Sequence, residues 1–261
     1  MLKLPPMNAS QDSSCSSSRP TQVLLMATCL CDAFYAEAAK ATVEILEHLG
    51  IEVIYPEDQT CCGQPAFNSG DWKASRKVAR HTAKVFAGDL PIIIPSGSCA
   101  GQMQHGNLLQ FEKEPDLPEI KAMAERTWEL SDFIVHQLGV TTWPGKLDAK
   151  IAFHHSCHTR GTGTRPAAEM LLKSIDGIKL VDYGQREQCC GFGGTFCVTF
   201  PTISGKVGTL KLNHLLANDP DFLCAADLSC MMHLGGLAEK QGRPIPYRHI
   251  AQVLLDALKN A

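Results

Sequence analysis

The tripeptide Cys-Cys-Gly occurs twice, at Cys61-Cys62-Gly63 and at Cys189-Cys190-Gly191, and its surroundings repeat with it. A lone cysteine stands 32 residues before each pair, Cys29 before Cys61 and Cys157 before Cys189. A further cysteine follows each pair, in Pro95-Ser-Gly-Ser-Cys99 and in Ala226-Asp-Leu-Ser-Cys230. The offset between copies is 128 for the first three positions and 131 for the last, so one short insertion or deletion separates them. Agreement at this fidelity identifies an internal duplication. Whatever fold one copy adopts, the other is expected to share.

The residues around each cysteine alternate between strand and helix patterns. An apolar run over 22–27 ends at Thr28-Cys29, and an amphipathic pattern over 33–49 places Val43, Leu46 and Leu49 on one face, with Gly50 as its stop. Residues 51–55 read as a strand leading into the first Cys-Cys-Gly, 71–87 as a helix, and Ile92-Ile93-Ile94 as a strand ending just before Cys99. The second copy repeats the order with strands at 150–154, 178–181 and 222–226 and helices at 166–176 and 202–217. Additional helices are predicted at 117–139 and 248–259. Alternating strands and helices imply an α/β fold with parallel sheets. The expected architecture is two similar parallel-sheet halves, 21–145 and 146–261. Every repeat cysteine then falls after a strand and before a helix, where open α/β sheets bind ligands.

Composition narrows the chemistry. Twelve cysteines in 261 residues, with 44% hydrophobic residues to supply a core, suit metal or redox work in a reducing compartment better than a disulfide scaffold. Net charge is −3, without the basic excess that nucleic-acid binding requires. The serine-rich segment 1–20 lacks the continuous apolar stretch of a secretory signal and reads as a disordered tail in which Cys15 is incidental. No run approaches the length needed to span a bilayer. The expectation is a soluble, cytoplasmic protein.

Four thiolates per copy, Cys29, Cys61, Cys62 and Cys99 and again Cys157, Cys189, Cys190 and Cys230, meet the demand of an iron–sulfur cluster, with the 4Fe-4S type expected. Four thiolates also suit one zinc ion, so a zinc-stabilised assembly module stands as the alternative. Adjacent cysteines favour the cluster, because neighbouring side chains reach two irons more comfortably than one ion. A vicinal disulfide leaves the matching outer cysteines unexplained. Cys31, Cys197 and Cys224 have no counterpart in the other copy and read as buried structural thiols, although Cys31 lies close enough to Cys29 to replace it as a ligand. His233, three residues after Cys230, is a candidate further ligand. His154, His155 and His158 flank Cys157 and could hydrogen-bond cluster sulfur or move protons. Gly191-Phe-Gly-Gly194 lacks the six-residue dinucleotide fingerprint and reads as a turn around the metal site.

With these motifs the sequence resembles the cysteine-rich CCG domain proteins of heterodisulfide reductases and of glycolate and glycerol-3-phosphate dehydrogenases, and within them the lactate-utilisation protein A family. The resemblance runs over about 22–258. It is carried by Met26-Ala-Thr-Cys-Leu-Cys-Asp32, Gln59-Thr-Cys-Cys-Gly-Gln-Pro-Ala-Phe-Asn-Ser-Gly70, Pro95-Ser-Gly-Ser-Cys99, His155-Ser-Cys157, Cys189-Cys-Gly-Phe-Gly-Gly-Thr-Phe196, Ala226-Asp-Leu-Ser-Cys230 and Arg248-His-Ile-Ala251. It implies an iron–sulfur electron-transfer subunit of an L-lactate-oxidising complex; a thiol–disulfide, heterodisulfide-type or glycolate-type oxidoreductase subunit is the neighbouring alternative. Where the heterodisulfide-type repeat closes with Cys-x-x-Cys, this chain has Gln102 and His233 at the last position, so a fifth thiolate is missing from each copy. No Cys-x-x-Cys-x-x-Cys ferredoxin segment occurs either. The resemblance therefore implies partner subunits, one of them a ferredoxin-type cluster protein.

Overall fold

The computed structural model describes residues 19–261; the predicted tail, apart from positions 19 and 20, and Cys15 lie outside the described residues. In the first half β1 (Gln22–Leu25) leads into α1 (Cys29–Phe34) and α2 (Ala36–His48), and β2 (Glu52–Ile54) into α3 (Gln64–Asn68) and α4 (Trp72–Val85). β3 (Ile92–Ile94) leads into α5 (Gly97–Gly101), a π-helical turn at Gln102–Gly106 and α6 (Asn107–Phe111). α7 (Leu117–Glu125), β4 (Thr127–Glu129) and α8 (Leu130–Asp132), extended by a π-helical turn at Phe133–Gln137, complete it.

The second half runs β5 (Lys146–Phe153), a 3-10 turn at Cys157–Thr159, α9 (Thr164–Ser174), β6 (Asp176–Leu180), α10 (Thr195–Thr199) and α11 (Pro201–Leu215). β7 (Phe222–Ala225), α12 (Leu228–Lys240), β8 (Tyr247–His249) and α13 (Ile250–Lys259) follow. The sheets have the same topology, β2-β1-β3-β4 and β6-β5-β7-β8, with every pair parallel. Helices cover both faces, which is why β3 is an unbroken run of isoleucines, all buried. The fold class is as the duplication predicts.

Three expectations need correction. The helix predicted over 117–139 is α7, then β4, then α8; the one predicted over 248–259 begins only at Ile250, because Arg248 and His249 belong to β8. Each half thus carries a fourth strand whose last residue, Glu129 or His249, is fully buried and caps the following helix. A three-residue strand between helices leaves no period for a sequence window to detect. The helix predicted over 33–49 is also divided at Tyr35, whose hydroxyl meets that of Tyr247 at 3.2 Å.

The halves share a core. Val23, Ile45 and Leu46 of the first half lie in one apolar cluster with Ile151, Phe153, Leu254 and Leu258 of the second, and α13 packs on α2. They also meet at the carboxyl ends of their sheets. Gly97 N–H donates to Ala226 O at 2.7 Å, and Ser98 N–H to Asp227 Oδ2 at 2.7 Å. A Cβ on Gly97 would lie 2.4 Å from the Thr159 methyl, so only glycine admits this approach. Among the described residues no helix is long and apolar enough to cross a membrane.

Candidate metal centre

Strand order positions the cysteines. In the first sheet the chain leaves β1 towards β2 on one side and β3 towards β4 on the other, so a crevice opens between the carboxyl ends of β1 and β3. Cys29 opens α1 from one lip and Cys99 sits in the first turn of α5 on the other. Cys61 and Cys62 arrive on the loop after β2. The Sγ atoms form two pairs, Cys29–Cys61 at 3.8 Å and Cys62–Cys99 at 3.3 Å. The second sheet repeats this with Cys157–Cys189 at 3.9 Å and Cys190–Cys230 at 3.0 Å. All these spacings exceed the roughly 2.05 Å of a disulfide, and every cysteine among the described residues is a free thiol. The structure therefore brings all eight repeat cysteines into two matched sets.

Each Cys-Cys-Gly loop is held by a serine on the next long helix. Ser75 Oγ of α4 donates to Gly63 O at 3.1 Å, and Ser204 Oγ of α11 to Gly191 O at 2.8 Å. Gly63 and Gly191 have φ of 85° and 91°, a left-handed conformation that turns the loop back over its cysteines. Their N–H groups point at Cys61 and Cys189 sulfur, at 3.4 and 3.3 Å. This serine clamp is a repeat feature that the cysteine pattern alone does not disclose.

The loops set which thiol ionises first. The Cys29 and Cys62 thiols, with the Gly63 N–H, hold Cys61 down to about 3. Cys157, Cys190 and Gly191 do the same to Cys189, down to about 2. Hydrogen bonding to Cys61 and Cys99, with burial, pushes Cys62 up; Cys189 and Cys230, with burial, push Cys190 up. The outer pair of the first half opens into a cleft of about 170 Å³ lined by Thr28, Cys29, Tyr55, Gln59 and Cys61. Gln59 braces the cleft, accepting from Ala27 N–H at 2.8 Å and donating to Leu25 O at 3.1 Å.

The remaining candidates separate by their partners. Cys31 is buried against Ala38 and Leu228, and burial pushes its thiol up to about 12; it joins neither sulfur pair. His233 turns Nε2 towards Ser204, 3.3 Å from Oγ, and sets its ring edge-on to Phe192. His155 is bound to Glu169 of α9 at 2.6 Å, and His158 Nδ1 lies 3.5 Å from Cys157 Sγ. His154 differs from all of these. It is fully buried, neither ring nitrogen has a hydrogen-bond partner, and burial holds it neutral, down to about 3. Its ring reaches the sulfurs of Cys190 and Cys230, the three ligand atoms lying within 4.8 Å of one another. Three nearby histidines look alike in the sequence. The signal that sets His154 apart is its equivalence, at the repeat offset of 128, to apolar Met26.

Two sets of four soft sulfur donors, one with an added imidazole, are a donor set that can hold a metal group. Lys211 lies close to the second set. It is fully buried, donating to Gln185 O at 3.1 Å and Arg186 O at 3.0 Å, with its ammonium 4.6 Å over the Tyr183 ring.

Known proteins show the same pattern. The cysteine-rich domain designated CCG matches twice, over residues 23–104 and 151–235. Lactate utilization protein A of Geobacillus sp. (strain WCH70) is 43% identical over 235 residues, 89% of this chain and 98% of its own length. The protein of the same name from Exiguobacterium sp. is 43% identical over 243 residues, 92% of this chain and 99% of its own. A copy from Bacillus anthracis, lactate utilization protein A 2, is 38% identical over 239 residues, 91% and 99% of the two chains. Among solved structures, a hypothetical protein from Helicobacter pylori superposes with a TM-score of 0.58 at 14% identity, over 94% of this chain; this chain spans half the length of that one. That last likeness concerns the fold alone.

Proposed function

We propose a function from one premise: the chain belongs to the lactate utilization protein A family and carries the cysteine-rich domain twice. Its role is that of an iron–sulfur electron-transfer subunit in an L-lactate-oxidising system. Each half holds a 4Fe-4S-type cluster, on Cys29, Cys61, Cys62 and Cys99 in the first and on Cys157, Cys189, Cys190 and Cys230 in the second.

The observation that carries this reading is the extended run of sulfurs in each half, Cys29–Cys61–Cys62–Cys99 and Cys157–Cys189–Cys190–Cys230. A tetrahedral zinc ion with bonds of about 2.3 Å draws all four sulfurs to within roughly 3.8 Å of one another. Here each pair is that close, yet among the described residues no three thiols of either half lie mutually within 4.8 Å. A larger polynuclear core matches four thiols strung out in this way. Bound there, a cluster would supply one-electron storage and release. The residues of the chain do the rest: the glycine N–H groups donate to thiolate sulfur, the serine clamps fix the loops, and the exposed Cys29 lip leaves the first centre open to a redox partner. With no dinucleotide fingerprint and no ferredoxin segment in the sequence, electrons from lactate reach the chain through other proteins of the system, one of them carrying ferredoxin-type cysteines.

Anaerobically purified protein is expected to be brown, to absorb broadly near 400 nm and to contain acid-labile sulfide with its iron. Alone it does not oxidise L-lactate; with the cognate proteins it does. Colourless protein with stoichiometric zinc and no sulfide, or sustained lactate oxidation by the isolated chain with an artificial acceptor, overturns the proposal.

A further inference from the structure

The duplication supplies its own comparison, and it shows that the two sites are not copies. We propose that the imidazole of His154 is a metal ligand in the second half, beside Cys190 and Cys230, so that the second centre has mixed nitrogen and sulfur ligation while the first is all sulfur. The inference rests on the metal-binding reading above and deepens it.

Strand geometry aims the side chain. His154 continues β5, its N–H donating to Cys224 O at 2.7 Å, so the sheet sets its direction. Side chains alternate along a strand. Phe153 enters the core shared by the halves, whereas Ala152 enters the cluster that contains Cys190 and Cys230. His154 therefore falls on the cysteine side, where its ligand atom lies within 4.8 Å of both sulfurs. No other trio of metal-capable side chains among the described residues is so compact.

Burial then asks for a partner. His154 is 1% exposed and both ring nitrogens are unpaired, which is costly for buried polar atoms. The neighbouring histidines already have their contacts, His155 with Glu169 and His158 with Cys157. A metal bound by Cys190 and Cys230 would satisfy one His154 nitrogen through its lone pair, with no proton released. The first half has no such requirement, because its equivalent, Met26, is an apolar side chain at 0% exposure.

A neutral nitrogen ligand adds no negative charge to the centre. Lys211 reinforces this, since its counterpart in the first half, at the offset of 129 set by Ser75 and Ser204, is the neutral Thr82. The second centre therefore carries a neutral nitrogen ligand that the first lacks.

The test uses the full chain purified anaerobically, as wild type and His154→Met, the latter restoring the residue that the first half tolerates. Iron, zinc and acid-labile sulfide are measured first, and X-ray absorption is then recorded at the edge of each metal found. The expected result is a histidine ring-scattering signature in wild type that His154→Met loses. Thermal unfolding confirms that the variant folds, and Met26→His supplies the converse by adding an imidazole to the first site. Metal present without histidine scattering, or scattering unchanged in His154→Met, refutes the ligand assignment and leaves the metal reading standing. Protein that binds no metal refutes both.

Discussion

Asp227 is the residue on which the junction between the halves turns, and truncating it tests how the two sites are held together. Its carboxylate is fully buried and stands between two helix N-termini, each bearing a repeat cysteine. Oδ1 caps α12, accepting from Ser229 N–H at 3.1 Å and Cys230 N–H at 3.4 Å, while Oδ2 accepts from Ser98 N–H of the opposite half at 2.7 Å. Asp227→Ala removes the cap, worth about 1 kcal/mol. It also leaves the buried Ser98 N–H unpaired, worth about 1–3 kcal/mol. The sum is about 3 kcal/mol. For a chain of this size that lowers the unfolding midpoint by roughly 6–12 °C. Asp227→Asn keeps an acceptor for the cap and loses the bond to Ser98, so its midpoint falls between wild type and the alanine variant. Scanning calorimetry on anaerobic protein reads the shift, and hydrogen exchange at the Gly97 and Ser98 amides reads the junction. A midpoint no lower than that of Glu239→Ala, on the exposed face of α12, refutes the reasoning.

Further outcomes follow from the same geometry. Gly63→Ala loses about 1–2 kcal/mol through its positive φ; Gly191→Ala loses more, since its Cβ would also lie 2.6 Å from Ser204 O, and equal midpoints in thermal unfolding contradict this. Cys62→Ser and Cys190→Ser each deplete the iron of one half, whereas Cys31→Ala and Cys15→Ser leave iron content unchanged by metal analysis. Glu129 and His249, the equivalent buried caps, respond oppositely to pH. Burial raises Glu129 from 4.5 to about 8, so its contribution to stability is full below pH 4.5 and is lost as pH rises towards 8; Glu129→Gln therefore stabilises by about 3 kcal/mol at pH 7. Burial lowers His249 from 6.5 to about 4, so its contribution is full above pH 6.5 and is lost as pH falls, and His249→Gln recovers about 3 kcal/mol near pH 4. Urea denaturation across pH 4–8 that shows the same dependence for both variants and wild type defeats the assignment.

The cysteine repeat was legible because cysteine is rare and its spacing survives duplication. Four-residue and longer strands such as β1 and β7 were legible because burial on both faces leaves apolar runs. β4 and β8 were not, since Thr-Trp-Glu and Tyr-Arg-His carry no such run and only pairing with β3 and β7 makes them strands. The shared core also escaped, because nothing local to α2 says that α13, some two hundred residues on, covers it. The same holds at the site. His154, His155 and His158 became distinct only once Glu169 of α9 was seen to occupy one of them.

That late cover has a consequence for synthesis. The ribosome releases Cys29, Cys61, Cys62 and Cys99 long before Leu254 and Leu258, the residues that finish the core under α2. At about 5–20 residues per second the interval is on the order of 10 to 30 s. Through that interval the first set of thiols belongs to an unfinished half, open to oxidants and stray ions. Metal bound by this half is therefore expected to be delivered after translation, and chains truncated ahead of α13 are expected to reach the cell's proteases without it.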